Sequence, residues 1–81
     1  LDELADFLKE YLAQYDKALE YYQKALEIRK QVLGESHPDV ATSYNNIGTI
    51  YASQGDYDLA LEYYQKALTI DNSLFLLNLF C

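Results

Sequence analysis

The segment Tyr15-Asp16-Lys17-Ala18-Leu19-Glu20-Tyr21-Tyr22-Gln23-Lys24-Ala25-Leu26 recurs as Tyr57-Asp58-Leu59-Ala60-Leu61-Glu62-Tyr63-Tyr64-Gln65-Lys66-Ala67-Leu68. Eleven of the twelve positions are identical, at a constant offset of 42. Chance does not produce such a match, so the chain carries two copies of one supersecondary unit. In each copy the apolar residues recur at spacings of three and four: Ala18, Leu19, Tyr22, Ala25 and Leu26, then Ala60, Leu61, Tyr64, Ala67 and Leu68. That is one face of an amphipathic helix. The alanines admit a neighbouring helix closely, and the tyrosine and leucines fill the space around them.

Working outward, Gly34-Glu35-Ser36-His37-Pro38 separates the copies. Glycine ends a helix and proline opens one, so residues 34–38 read as a connecting loop. A further helix follows with Val40, Tyr44, Ile47, Ile50 and Tyr51 as its apolar positions. Gln54-Gly55-Asp56 then supplies a tight turn, in which Gly55 takes a positive φ and Asp56 caps the next helix.

Upstream the pattern departs. Tyr11-Leu12-Ala13-Gln14-Tyr15 stands where the second copy has Tyr51 to Tyr57, without the Gly-Asp pair. A two-residue deletion brings Leu4, Phe7 and Tyr11 opposite Tyr44, Ile47 and Tyr51, and puts Leu8 in place of the small Gly48. There is no glycine or proline between Leu1 and Leu33, and Leu4, Leu8, Tyr11, Tyr15, Ala18, Tyr22 and Ala25 keep the alternating four-three spacing of a heptad seam. The spacing predicts one continuous helix from about Asp2 to Leu33, roughly 45–50 Å long. Such a helix cannot fold back on itself, so its apolar face needs another partner. A second copy of the chain supplies it by exchange of the opened hairpin, giving a homodimer or higher oligomer. The self-association residues would be Leu4, Leu8, Tyr11, Tyr15, Ala18 and Tyr22, joined by Leu76 and Phe80 from the apolar tail. The alternative is a cramped turn near Ala13-Gln14 in a monomer. Residues 72–81 read as a tail or capping helix, with Ser73 as its cap, and the apolar run is far short of the ~20 residues that span a membrane.

Composition narrows the function. With 81 residues, three glycines and one proline, the chain is a single small helical domain rather than a turn-rich β fold. The net charge of −7 argues against binding nucleic acid or anionic membranes. The charge is unevenly spread: residues 1–33 carry seven acids and five bases, residues 34–81 six acids and one base. Cys81 is the only cysteine and excludes an internal disulfide framework. Asp2, Glu3 and Asp6 interrupt any leader-like apolar run. Both observations point to a cytoplasmic setting. His37 is the only histidine and sits in the loop; with Cys81 it makes neither a catalytic constellation nor a spaced ligand set. No phosphate-cradling glycine loop occurs. The reading is therefore not an enzyme, with no catalytic, metal or cofactor-binding residues.

Tyr44, Ile47, Gly48, Tyr51, Gly55, Ala60, Tyr64 and Ala67 resemble the tetratricopeptide signature, in which large, aliphatic, small and aromatic positions alternate across a helical hairpin. The 42-residue period and the Gly34-x-x-His37-Pro38 connection are similar to kinesin-light-chain-type repeats. Asn72 stands where the family often has proline. The resemblance implies an all-α architecture of helical hairpin repeats, an α-solenoid fragment. Residues 1–33 form a degenerate first repeat opened into one helix, and residues 39–71 a complete hairpin. It also implies a protein or peptide partner held on the concave face of the first helix of the hairpin. The matching positions are Thr42, Asn45, Thr49, Ala52 and Ser53. The lysines with which some members clamp a carboxylate terminus are absent from this helix.

Overall fold

The computed structural model describes residues 2–80, with side chains described for residues 2–73. Four helices follow one another: α1 (Asp2–Tyr11), α2 (Tyr15–Leu33), α3 (Pro38–Ser53) and α4 (Tyr57–Phe80). Each packs on the next, so the chain is two antiparallel hairpins, α1–α2 and α3–α4, joined by the α2–α3 contact. No strand occurs among the described residues, and the molecule measures 45 × 26 × 16 Å.

The loop between the hairpins is built as its residues dictate. Gly34 leaves α2 with φ +89°, and its N–H still reaches Lys30 O at 3.1 Å. Pro38 opens α3, where its missing N–H costs nothing. His37 is the N-cap: its Nδ1 accepts the Asp39 N–H at 3.0 Å. The α3–α4 turn also follows expectation. Gly55 has φ +84°, and Asp56 Oδ1 accepts from the Leu59 N–H at 3.5 Å.

The expected continuous helix from Asp2 to Leu33 does not form. The chain folds back through Leu12, Ala13 and Gln14, and the hairpin is closed. No residues are missing from this turn: three separate α1 from α2, and three separate α3 from α4. What is missing is the glycine. Ala13 stands 42 residues before Gly55 and takes its left-handed conformation, with φ +52°. Gln14 N–H donates to Leu8 O at 2.9 Å, and Gln14 O accepts from Ala18 N–H at 3.0 Å, as Asp56 O does from Ala60. A strained non-glycine residue costs about 1–3 kcal/mol. Burying one leucine side chain contributes about 1.5–3 kcal/mol. Closure buries Leu8 and Ala5 with Ala18, Tyr22, Leu26, Val40, Ile47 and Ile50 in one cluster, which outweighs the strain. The heptad seam therefore splits. Leu8, Ala18, Tyr22 and Ala25 lie in the core, Tyr15 is half-buried, and Leu4 and Tyr11 face outward. A second correction concerns the tail: Ser73 caps no separate helix, because α4 runs unbroken to Phe80.

In the α3–α4 hairpin the close approach is made at Gly48. A Cβ there would lie 2.9 Å from Tyr64 Cε1 and 3.1 Å from Ala60 O. Only glycine lets the tyrosine ring approach the helix this closely.

Two expectations follow. Ala13→Gly with Gln14→Asp restores a relaxed turn and a side-chain cap, which α2 now lacks; the urea midpoint should rise by the equivalent of about 1–2 kcal/mol with unchanged slope. Gly48→Ala should lower it by about 1–3 kcal/mol, since both the ring and the Ala60 carbonyl crowd the added methyl.

Candidate functional site

α3 is the central helix, flanked by α2 and α4. Val40, Ala41, Ser43, Ile47, Gly48 and Ile50 are buried between them. The remaining stripe of α3 carries Thr42, Asn45, Thr49, Ala52 and Ser53. Thr42, Asn45 and Ser53 are exposed, Thr49 and Ala52 half-buried. Their polar groups differ in availability. Thr42 Oγ1 donates back to Pro38 O at 3.3 Å. Thr49 Oγ1 donates to Asn45 O at 2.9 Å and lies 3.1 Å from the Tyr64 hydroxyl. A threonine hydroxyl has one proton, so Tyr64 is the donor in that second contact. Asn45 differs: its side-chain amide has no hydrogen-bond partner among the described residues, and it retains two donors and an acceptor.

Behind this stripe an aromatic cluster fixes α3 to α4. Tyr63 stacks on Tyr51 with ring centres 5.5 Å apart and tilts against Tyr44 at 6.1 Å. Lys66, the sole base of residues 34–81, sits 4.7 Å over the Tyr63 ring and 5.7 Å from the Tyr44 ring. Burial, then the neighbouring Tyr63 and Asp56, push the Tyr51 hydroxyl pKa upward.

A polar junction ties the first hairpin to α3. Arg29 of α2 donates to Asp2 Oδ2 at 2.9 Å and to Ser43 Oγ at 2.6 Å, and Asn46 donates to the same Asp2 oxygen at 3.5 Å. Ser43 is fully buried, so its hydroxyl needs this partner. The periodicity treats Arg29 as helix surface and misses the junction. The visible signal is a mismatch between the copies, since the residue 42 positions after Arg29 is Asp71.

The Tyr22 hydroxyl donates to Asp6 Oδ1 across the α1–α2 hairpin. Its pKa is raised well above the ordinary tyrosine value, first by burial, then by this bond and by the negative charges of Asp6, Asp2 and Glu10.

Of the residues proposed for self-association, Leu8, Ala18 and Tyr22 are internal, while Leu4 and Tyr11 are exposed together with Phe7, whose ring centre lies 5.2 Å from that of Tyr11. The side chains of Leu76 and Phe80, and Cys81 as a whole, lie outside the described residues. His37 serves its own helix as a cap. No cluster of three or more histidine, cysteine, aspartate or glutamate side chains able to hold a metal occurs among the described residues. No helix among them is long and apolar enough to cross a membrane.

The Tyr22–Asp6 pair carries a pH expectation. Because the folded pKa of Tyr22 is raised, the folded state keeps its proton where the unfolded chain loses it. Stability is full below the ordinary tyrosine value of 10.0 and falls as pH rises above it. Urea titrations at pH 8 and above 10 should show this decline, and Tyr22→Phe should flatten it while costing about 1 kcal/mol at pH 8.

Compared with known proteins, residues 1–73 match the family model of the tetratricopeptide repeat. No curated protein and no solved structure matches the chain.

Proposed function

We propose that this chain, which belongs to the tetratricopeptide repeat family, is a non-enzymatic interaction module that holds a peptide or protein on the α3 face formed by Thr42, Asn45, Thr49, Ala52 and Ser53. Repeats of this family generally mediate contacts between proteins. The observation that carries the assignment to this face is Asn45. An exposed amide with no hydrogen-bond partner among the described residues can bond both the N–H and the C=O of an extended backbone. Thr42 and Thr49 flank it with hydroxyls turned back onto their own helix, and Ala52 leaves the stripe low enough for a chain to lie close. The period of 42 residues and the Gly34-x-x-His37-Pro38 connection support the longer, kinesin-light-chain-like class of repeat. A cytoplasmic setting accords with the single cysteine.

A second reading is self-assembly, favoured by Ala13. A strained residue in a short hinge favours exchange of hairpins between copies, because straightening the hinge relieves the strain. The exposed Leu4, Phe7 and Tyr11 would then be covered as well.

The two readings separate experimentally. For a partner captured on the α3 face, Asn45→Ala should weaken binding by roughly 5- to 20-fold in calorimetry while leaving the melting temperature within a degree or two. Unchanged affinity removes Asn45 from the site. Concentration-dependent dimers that Ala13→Gly abolishes would instead establish the exchange.

A further inference from the structure

The offset of 42 residues relates the first helices of the two hairpins as well as the second ones. Ala5 and Leu8 are buried like their counterparts Ile47 and Ile50, and all four join one cluster. α1 therefore presents its sides in the same order as α3. The counterparts of Asn45, Thr49, Ala52 and Ser53 are Glu3, Phe7, Glu10 and Tyr11, so the exposed stripe of α3 has its continuation on α1. The two helices are neighbours: Asn46 of α3 donates to Asp2 of α1 at 3.5 Å, and Arg29 bonds to both Asp2 and Ser43.

The α1 part of this surface differs in kind. Phe7 is 49% and Tyr11 74% exposed, with ring centres 5.2 Å apart. Glu3 and Glu10 stand one turn to either side of Phe7, and both are exposed. At spacings of three and four these side chains share one helix face. The four acids of α1 divide into two kinds. Asp2 is paired with Arg29 and Asp6 accepts from Tyr22, while Glu3 and Glu10 enter no ion pair among the described residues. Lys9, the one base of the helix, is half-buried at the position equivalent to Tyr51, which in the second hairpin turns toward α4. The α3 stripe adds no charge. The combined face thus sets two carboxylates around an exposed aromatic pair, within a chain of net charge −7. Such a surface attracts cations and repels acidic segments, a second copy of this chain included.

Resting on the reading that a partner lies along α3, we propose that this partner is a basic peptide. Its arginine or lysine side chains lie across Phe7 and Tyr11 and pair with Glu3 and Glu10, while its backbone meets Asn45. A guanidinium suits the place best, because it stacks flat on an aromatic ring and still offers N–H donors at its edge to a carboxylate.

The probe is a displayed library of random peptides, selected on the intact chain and read by sequencing. Arginine and lysine should be enriched several-fold over aspartate and glutamate among the binders. A selected binder is then labelled and titrated by fluorescence anisotropy. Glu3→Gln combined with Glu10→Gln should weaken it roughly fivefold at low salt, and raised salt should shrink that loss. Phe7→Ala, checked for retained helicity by circular dichroism, should weaken it comparably. Glu3→Lys combined with Glu10→Lys should weaken it further and strengthen the same peptide rewritten with glutamates for its basic residues. A folding defect would not produce that exchange of preference. Binders without a basic bias, or affinity indifferent to both glutamate pairs, would overturn the proposal. If Asn45→Ala still weakens such binders, the α3 site stands and only its basic partner falls. If neither Asn45→Ala nor the α1 variants matter, or no binder emerges, both fall.

Discussion

α3 has to be apolar on two sides at once, and the rest of the molecule depends on it. Between Val40 and Ser53 it carries no charged residue. Ionised groups packed between two other helices would have to be desolvated without partners, at a cost of several kcal/mol each. Its bulk is graded accordingly. Ile47 and Ile50 fill the side toward the first hairpin, and Gly48 recedes so that the Tyr64 ring can lie on the other. The one polar side chain fully buried there, Ser43, is matched by Arg29. Two hairpins with modest cores of their own thereby share a single one.

Much of this was legible from sequence because two kinds of signal coincide. The repeat located α2 and α4, and Gly34, Pro38 and Gly55 marked boundaries whose positive φ or missing N–H only those residues provide cheaply. The turn at Ala13 stood only as the alternative reading because its backbone conformation is that of Gly55 but its residue is not. A rule that seeks glycine or proline finds nothing between Leu1 and Leu33. The heptad seam then misled. Spacings that keep step across a turn look like one helix, although Leu8 and Tyr22 meet by folding back rather than by continuing. Tertiary burial prevailed over local preference at one residue.

The polar contacts were less visible than the apolar ones. In sequence Asp2 and Asp6 stand out only as charges that interrupt an apolar run, yet Asp6 receives the Tyr22 hydroxyl and Asp2 the Arg29 guanidinium. Periodicity reports which face of a helix is buried and not how long side chains reach around its edge. The exposed stripe of α3 was legible only through resemblance, since Thr42, Asn45, Thr49, Ala52 and Ser53 have no chemistry that distinguishes them from any solvated helix face. That Asn45, unlike its two threonine neighbours, has no side-chain hydrogen bond among the described residues emerges only from the geometry.

The tyrosine cluster also makes the molecule its own reporter. The chain has no tryptophan, so its near-ultraviolet optical activity comes mainly from nine tyrosines and three phenylalanines. Tyr51 and Tyr63 are stacked at 21°, with Tyr44 adjacent, and all three lie on α3 and α4. Stacked rings couple and contribute strongly to such a signal, whereas the far-ultraviolet signal reports all four helices in proportion to their lengths. Loosening of the second hairpin and unfolding of the whole chain therefore carry different spectroscopic signatures without any label.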